Sequence, residues 1–407
     1  MLARLLQDAR LFAPAVRRYL VGSALMGMAY AVPWTLLNLY LDQLGLSKAE
    51  IGSVNSAEAW GRALVAVPAA FLLASRRTIP VLVATSLLGA VAYAALPWMS
   101  GVPLIAAVNL VRGFSDQVHH VAIAPFLFRH TRSTERATAF AVAEAVHTLM
   151  AVAGSFGSGR LVTWLADAAG GEASSMAWVL AGTALLPLLA APAFAGIREE
   201  TRAPEERPPV LATVRAHRGL LLRFAVPQFL IACGAGLVIP FLGLYFTDRF
   251  GFRPGSVGNL FACGQVLMTT GFLLSPEILR RLGYVRGVVF VEVLSIPFFL
   301  ILAFSFHLPL AIFAFLLRGA LMNTAHPILK NLMMRASPEG MREVQNGMLG
   351  LLWGVAWILG PVVGGAILDR TDNSYTVLMC TTVTLYLAAS LSSYLLLSPV
   401  ERRLAPE

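Results

Sequence analysis

Residues 109–120 read NLVRGFSDQVHH and lie within an apolar run that extends from about residue 102 to residue 128. Residues 315–326, which lie 206 positions later, read FLLRGALMNTAH and belong to a second apolar run. Both stretches carry an Arg-Gly pair at the same place, and both end in His. An arginine inside such a run is costly in a membrane, so its recurrence at a fixed interval indicates an internal duplication.

The composition places the chain in a membrane. Of its 407 residues, 57% are hydrophobic and 13% are charged, which excludes a water-soluble fold and a disordered chain. Twelve apolar runs reach the length of about 20 residues that a membrane helix needs; they lie at roughly 19–42, 50–74, 79–99, 102–128, 136–165, 176–196, 219–247, 256–276, 284–305, 308–334, 343–368 and 375–397. They are too long and continuous for barrel strands, so we predict an all-α integral membrane protein with twelve transmembrane helices.

The twelve spans form two repeats of six. The interval of 206 residues also relates Asp42 to Asp248, Gly45 to Gly251, Gly52 to Gly258, Arg129 to Arg335, Arg136 to Arg342, Gly154 to Gly360 and Gly159 to Gly365. Residues 197–218 form a polar stretch with four Glu and three Pro, which we interpret as a linker. We therefore predict an N-terminal half, 1–196, and a C-terminal half, 219–407, related by a pseudo-twofold axis. Parallel six-span repeats are typical of transporters whose substrate site lies between the halves.

The basic residues predict the orientation. With both termini in the cytoplasm, 23 of the 31 Lys and Arg fall on the cytoplasmic side, five fall near the outer side, and Arg62, Arg112 and Arg318 lie within spans. We therefore expect a multi-pass protein of the cell (inner) membrane with both termini in the cytoplasm. The same distribution explains the net charge of +9 without a nucleic-acid partner. Residues 1–18 are either a basic surface segment or a loose tail.

Several stretches carry a family likeness. Residues 110–113 read LVRG inside the fourth span, residues 70–77 form a basic loop after the second span, and residues 360–365 read GPVVGG in the eleventh. On these stretches the whole chain resembles the major facilitator superfamily, and the GPVVGG stretch is similar to one in its drug/proton antiporter branch. That stretch is equally consistent with plain helix packing. In the loop at 70–77, Ala70 and Ala74 stand where the family pattern has Gly and Asp. In the family this loop helps to hold the two halves together in one conformation, and the loop of this chain departs from that pattern.

The resemblance implies a central cavity lined by spans one, four, seven and ten. Asn109, Arg112, Asp116 and His120 are spaced by three, four and four residues, so they form one stripe of the fourth helix. On this resemblance the stripe faces the cavity. Asp116 and Arg112 are either a proton-coupling pair or a static salt bridge that makes both charges tolerable. A charge in mid-membrane costs about 2.5–3.5 kcal/mol, which favours a partner or a function.

The other charged residues within spans leave alternatives open. Glu58 is either an internal partner of Arg62 or a proton-coupling group, and Glu144 with His147 is a candidate proton relay. Arg318 has no acid four residues later, so it either binds an anionic substrate group or donates to backbone carbonyls.

Further candidates come from other residue types in the spans. Glu292 lies on the ninth span, where we expect a buried structural acid. His120 and His326 are candidates for proton transfer, and a metal site is disfavoured because no Cys or acid cluster accompanies them.

Aromatic and polar side chains give candidates for the substrate site. They are Tyr30, Trp34 and Asn38 in the first span, Asn109, Arg112, Arg318 and His326 on the fourth and tenth, and Trp353 on the eleventh. A mostly apolar cavity with few polar groups suits amphiphilic or aromatic solutes. Packing against neighbouring helices is the alternative for each of these residues.

The sequence thus predicts a secondary active transporter, not an enzyme. No phosphate-binding Gly-x-x-x-x-Gly-Lys motif, zinc-protease motif or nucleophile motif is present. We predict proton-coupled efflux of amphiphilic or drug-like compounds by alternating access. The alternative is a carrier, for uptake or exchange, of an organic anion or metabolite. The expected partners are a small-molecule substrate, protons and membrane lipid, without a cofactor or metal, and we expect a monomer.

Overall fold

The computed structural model describes residues 12–74, 78–132, 135–197, 215, 217–338 and 341–404. Residues 1–11 of the predicted N-terminal segment, residues 75–77 at the basic end of the 70–77 loop, and residues 198–214 and 216 of the linker lie outside these residues. The last residues of the N-terminal segment, from Pro14, belong to the first helix. Within the described residues every regular element is helical and no strand occurs. The predicted all-α class is therefore confirmed for this part of the chain.

Each of the twelve predicted spans is occupied by helix in the described chain. The helices are α1 (Pro14–Gln43), α2 (Lys48–Ala74), α3 (Thr78–Ala95), α4 (Val102–His130), α5 (Arg136–Leu165), α6 (Glu172–Gly182 and Leu185–Ala195), α7 (Arg218–Val238 and Leu242–Phe250), α8 (Pro254–Leu282), α9 (Tyr284–Phe304), α10 (Leu308–Ala336), α11 (Arg342–Arg370) and α12 (Tyr375–Leu404).

Ten of these helices, as far as the chain is described, are long and apolar enough to cross a membrane. The other two predicted spans correspond to α2 and α4. These two helices carry charged residues in mid-helix, namely Glu58, Arg62, Arg112 and Asp116. Charges of this kind lower the mean hydropathy of a helix, and they need partners before the helix can lie in a membrane.

Prolines mark the interruptions of two helices. The break in α7 is a 3₁₀ turn at Ile239–Phe241 that contains Pro240, and a 3₁₀ turn at Leu96–Trp98 with Pro97 follows α3. Proline lacks the amide hydrogen that the α-helical ladder needs, so a tighter turn replaces the regular helix at these points. By contrast, α1 continues through Pro33.

The chain divides into two compact units. The first unit contains α1, α3 to α6, most of α2 and the first turns of α8; the second contains α7, α9 to α12, most of α8 and the first turn of α2. In the first unit, the ring of Tyr19 stacks on Phe126 with centroids 4.0 Å apart, inside an apolar core. The core of the second unit is built around Phe224, Val288 and Ile328.

Each unit contains the same long-range hydrogen bond. The hydroxyl of Tyr40 donates to the carbonyl of Pro97 at 2.7 Å, and the hydroxyl of Tyr245 donates to the carbonyl of Leu302 at 2.8 Å. Both bonds join residues that are 57 positions apart in the chain. Within each unit a tyrosine of the first helix is therefore hydrogen-bonded to backbone at the end of the third span. The two tyrosines are 205 positions apart, so they are not partners at the 206-residue interval, which relates Tyr40 to Phe246.

Two glycines let α2 and α4 approach closely. A Cβ atom at Gly61 would lie 2.0 Å from the carbonyl oxygen of Leu110, and a Cβ at Gly113 would lie 2.2 Å from the carbonyl oxygen of Glu58. Only a residue without a side chain fits at such distances, as in other close helix pairs of membrane proteins. The contact places the backbone of Glu58 directly against α4.

Replacing Gly113 by Ala should therefore destabilise the first unit, because the new methyl group collides with backbone that cannot move aside. We expect a loss of about 1–3 kcal/mol, typical of overpacking, measured as a lower thermal unfolding temperature of the purified protein in detergent. Gly319 is the repeat partner of Gly113 and is the matched control, because a Cβ there meets nothing within 4 Å. An equal loss of stability in Gly113→Ala and Gly319→Ala would contradict the role of the close approach.

Candidate functional site: a buried charged cluster

Glu58 of α2 forms ion pairs with two arginines. Its carboxylate contacts Arg62 one turn later on the same helix, and it also contacts Arg112 of α4. The Arg112 side chain is 1% exposed and the Glu58 side chain is 12% exposed. Glu58 therefore serves both arginines, whereas the sequence predicted only its pairing with Arg62. The pair with Arg112 connects two helices, and spacing along one helix does not reveal it.

The predicted stripe on α4 surrounds the Arg112 guanidinium. Its Nε donates to Oδ1 of Asn109 at 2.8 Å, and its Nη1 donates to Oδ2 of Asp116 at 3.3 Å. Asn109 in turn donates from Nδ2 to the backbone carbonyl of Val54 at 2.7 Å. Three residues of the stripe thus meet, and α2 holds them from the other side.

Tyr93 of α3 completes the surroundings of Asp116. Its hydroxyl lies 3.1 Å from both carboxylate oxygens of Asp116 and donates to them. Its ring centroid is 5.7 Å from the Arg112 guanidinium carbon. The sequence analysis missed Tyr93, because a single tyrosine in an apolar span carries no spacing signal.

We call Glu58, Arg62, Arg112 and Asp116 the charged cluster. Its two acids and two arginines balance to a formal charge of zero, which is the condition under which such groups are tolerated in a low-dielectric interior. Glu58 contacts both guanidinium groups, while Asp116 contacts only Arg112 and at a longer distance. Loss of the negative charge of Asp116 therefore breaks one ion pair of the cluster, whereas loss of the charge of Glu58 would break two.

The three candidates in α1 have different neighbours, although they lie on the same helix. The ring of Tyr30 lies 4.8 Å from the guanidinium carbon of Arg62, which brings it to the charged cluster. Trp34 has its ring 6.0 Å from that of Tyr30. Asn38, one turn further on, accepts a hydrogen bond from the side-chain amide of Asn55 at 2.9 Å. Tyr30 and Trp34 therefore form an aromatic extension of the cluster.

The candidate proton relay, Glu144 with His147 of α5, lies near His120 of α4. His120 and Glu144 are both exposed, and His120 interacts electrostatically with both relay residues and with Arg62 of the charged cluster. His119, the neighbour of His120, is buried and contacts the hydroxyls of Thr85 at 3.3 Å and Ser86 at 3.2 Å. The two adjacent histidines thus point in different directions, as the helical geometry predicts.

Arg318 of α10 differs from its repeat partner Arg112. It is buried, and neither its Nε nor its Nη1 has a hydrogen-bond partner in the described part of the chain. Its guanidinium carbon lies 4.6 Å from the ring centroid of Phe299. Tyr386 interacts electrostatically with both Arg318 and Glu292. The second unit therefore holds a buried arginine whose Nε and Nη1 donate no hydrogen bond to any described residue.

Glu292, His326 and Trp353 lie in the second unit as well. Glu292 is 1% exposed and its Oε2 has no hydrogen-bond partner, so its burial is as the sequence predicted. His326 is exposed, and its ring centroid lies 5.5 Å from that of Trp353. Within the described residues, no group of three or more His, Cys, Asp and Glu side chains is placed to hold a metal ion.

Solved structures show the same fold over nearly the whole chain. A bacterial homologue of the human lysosomal transporter Spinster, in an inward-facing and unoccupied conformation, superposes with a TM-score of 0.77 at 12% identity, covering 97% of this chain and 98% of that one. The nucleoside transporter NupG superposes with a TM-score of 0.75 at 15% identity, covering 94% and 98%. The human organic anion transporter MFSD10 gives 0.63 at 19% identity, covering 93% and 99%.

The sequence itself identifies the family. The family model described as Major Facilitator Superfamily matches residues 19–361 and residues 224–407. No curated protein matches the sequence significantly. The family match covers more than half of the chain, and the helices, their order and the fold of solved transporters agree with it. The chain therefore belongs to the Major Facilitator Superfamily of membrane transporters.

Proposed function

We propose that this transporter exports amphiphilic or drug-like compounds in exchange for protons, and that Asp116 is the proton-coupling group. The observation that carries the proposal is the asymmetry of the charged cluster. Glu58 contacts both arginines, so a proton on Asp116 still leaves each guanidinium with a carboxylate partner. The cluster then changes its net charge by one unit and keeps both ion pairs of Glu58, while the pair of Asp116 with Arg112 is lost. A change of net charge of this kind is what coupling to a proton gradient requires.

The contacts of Asp116 differ between its charged and its neutral form. When Asp116 is charged, it accepts from Tyr93 and Arg112. When it is neutral, it no longer attracts Arg112, and the guanidinium is held by Glu58 and Asn109 alone. Because Tyr93 belongs to α3 and Asp116 to α4, protonation of Asp116 alters a hydrogen bond between two helices. A ligand shifts a conformational equilibrium only through such a difference between two states.

Aromatic residues beside the cluster support an amphiphilic substrate. The ring of Tyr30 lies next to Arg62, and the ring of Trp34 lies beside that of Tyr30. An apolar wall with a few polar groups is the usual lining of a small-molecule site. Among solved relatives in fold, one is described as a D-xylose–proton symporter, with a TM-score of 0.71 at 11% identity over 94% of this chain and 97% of that one. That protein is coupled to protons by its description, which makes proton coupling on this fold a reasonable basis for a proposal.

We also propose the organisation and location that the sequence predicts. On this proposal residues 1–196 and 219–407 are the two repeats, the protein lies in the inner membrane as a monomer, and both termini are cytoplasmic. The support is the 206-residue interval and the placement of 23 of the 31 basic residues on one side.

Asp116→Asn should abolish proton exchange while the protein stays folded. The amide keeps the size of the side chain but cannot take up a proton. The assay uses everted membrane vesicles with an imposed proton gradient and a pH-sensitive dye, to which amphiphilic cations, neutral drugs and organic anions are added in turn. We expect dye recovery with some compounds in the wild type and none in Asp116→Asn.

Asp167→Asn is the matched control for this experiment, because it makes the same change at an exposed aspartate of the same unit. It should retain the dye recovery of the wild type. Recovery that survives Asp116→Asn would keep proton exchange but move the coupling to Glu144 or Glu58. No recovery with any compound, from protein with an unchanged unfolding temperature, would contradict export by proton exchange.

A carrier for an organic anion or metabolite is a second candidate function, favoured by Arg318. A buried guanidinium with two unpartnered donors is suited to a carboxylate or phosphate group. On this alternative, Arg318 binds the anionic group of the substrate, and Phe299 and Tyr386 surround it.

Arg318→Ala should then weaken transport of anionic solutes by about tenfold or more, the magnitude of a lost hydrogen bond to a charged group. Neutral and cationic solutes should be transported as before. The measurement is uptake of radiolabelled solutes of each charge class into proteoliposomes, and Arg253→Ala, which removes an exposed arginine side chain, is the control. An equal loss for every solute would instead make Arg318 a structural residue.

A further inference from the structure

A groove on the surface of the second unit has an apolar wall and a cationic end. It has a volume of about 380 Å³ and is lined by Arg286, Val289, Phe290, Val293, Leu294 and Tyr394. The five residues from α9 are spaced by three, one, three and one positions, so they form one face of that helix. Phe290 is 49% exposed and Tyr394 is 47% exposed. The opposite face of α9, with Val288 and Val291, is buried in the core of the unit.

Arg286 provides the cationic end of the groove. It lies in the first turn of α9 and is exposed, and no residue in the described part of the chain forms an ion pair or hydrogen bond with its side chain. From Arg286 to Leu294 the helix rises by about 12 Å, at about 1.5 Å per residue. The groove is therefore a straight apolar channel along α9, which we call the track, with the positive charge of Arg286 at its end.

The acid at this end of the unit is already engaged. Glu401 of α12 accepts hydrogen bonds from the backbone N–H groups of Tyr284 at 2.6 Å and Val285 at 3.2 Å, where it caps the start of α9. Its neighbours Arg402 and Arg403 are exposed. The end of the groove thus carries a surplus of positive charge, because the carboxylate is held by the helix terminus.

We propose that this groove is a binding site for one anionic phospholipid, with the phosphate at Arg286 and an acyl chain along Val289, Phe290, Val293 and Leu294. The ligand class follows from the two parts of the site. The apolar stripe matches a hydrocarbon chain, and a guanidinium at its end matches a phosphate. Basic groups at the end of a membrane helix attract anionic lipids in particular. The groove belongs to the second unit and the charged cluster to the first, and the proposed lipid is not the transported substrate.

The first test measures lipid charge preference at Arg286. Full-length protein is equilibrated with equimolar phosphatidylglycerol and phosphatidylcholine in mixed micelles, and retained lipid is counted by native mass spectrometry. The wild type should retain one phosphatidylglycerol in preference to phosphatidylcholine. Arg286→Gln should lower that preference about fivefold, the effect expected of one arginine near a lipid headgroup. Arg160→Gln, at an exposed arginine that lies over Phe156, should leave the preference unchanged.

The second test blocks the groove. Val293→Trp places a large ring in the track, and Val363→Trp adds the same ring at a similarly exposed valine of α11. Val293→Trp should remove the tightly retained lipid, and Val363→Trp should retain it. Equal retention in both tryptophan variants, or equal preference in Arg286→Gln and Arg160→Gln, would overturn the proposal and leave ordinary annular lipid. Equal retention of the two lipids by the wild type would overturn the preference for an anionic headgroup.

Discussion

The first unit depends on the neutralisation of two guanidinium groups, of which Arg112 is buried and Arg62 is partly exposed. Arg62 and Arg112 share the carboxylate of Glu58, and Asp116 supplies the second negative charge. An unpaired charge in a bilayer interior is costly, and removing one partner of a buried pair is strongly destabilising. The geometry that permits this sharing is a close crossing of α2 and α4, in which Gly61 and Gly113 let backbone approach backbone. In this unit the close packing of α2 against α4 is therefore what allows Glu58 to pair with Arg112.

The second unit shows how the duplicated sequence has diverged. Arg318 and Gly319 repeat Arg112 and Gly113, yet a Cβ at Gly319 meets nothing within 4 Å and Arg318 keeps two unpartnered donors. The acid that stands four residues after Arg112 is replaced by Met322 after Arg318. The arginine of this dipeptide is paired with two carboxylates in one unit, whereas in the other unit two of its nitrogens have no hydrogen-bond partner among the described residues. Such an asymmetry is a reasonable starting point for a division between coupling and substrate recognition.

Much of the fold was predictable because its cause is local. A run of about 20 apolar residues is enough to specify a membrane helix, and each of the twelve predicted runs overlaps one of α1 to α12, although the ends differ by up to seven residues, as at the end of α12. The stripe of Asn109, Arg112 and Asp116 was also predictable, since a helix repeats its direction every three to four residues. Tyr93 and the pairing of Glu58 with Arg112 were not, because they join residues that are 23 and 54 positions apart on different helices.

The sequence by itself determined the class of the protein, the number and order of its helices, the repeat and the set of charges that need partners. These follow from composition, run length and periodicity, which act within one helix. Only the tertiary structure decided which acid meets which arginine, that Asp116 is held by Tyr93, and that Arg318 has no partner for two of its nitrogens. The physical reason is that a charge in an apolar interior is satisfied by whichever helix packs against it, and that choice is made by contacts between helices.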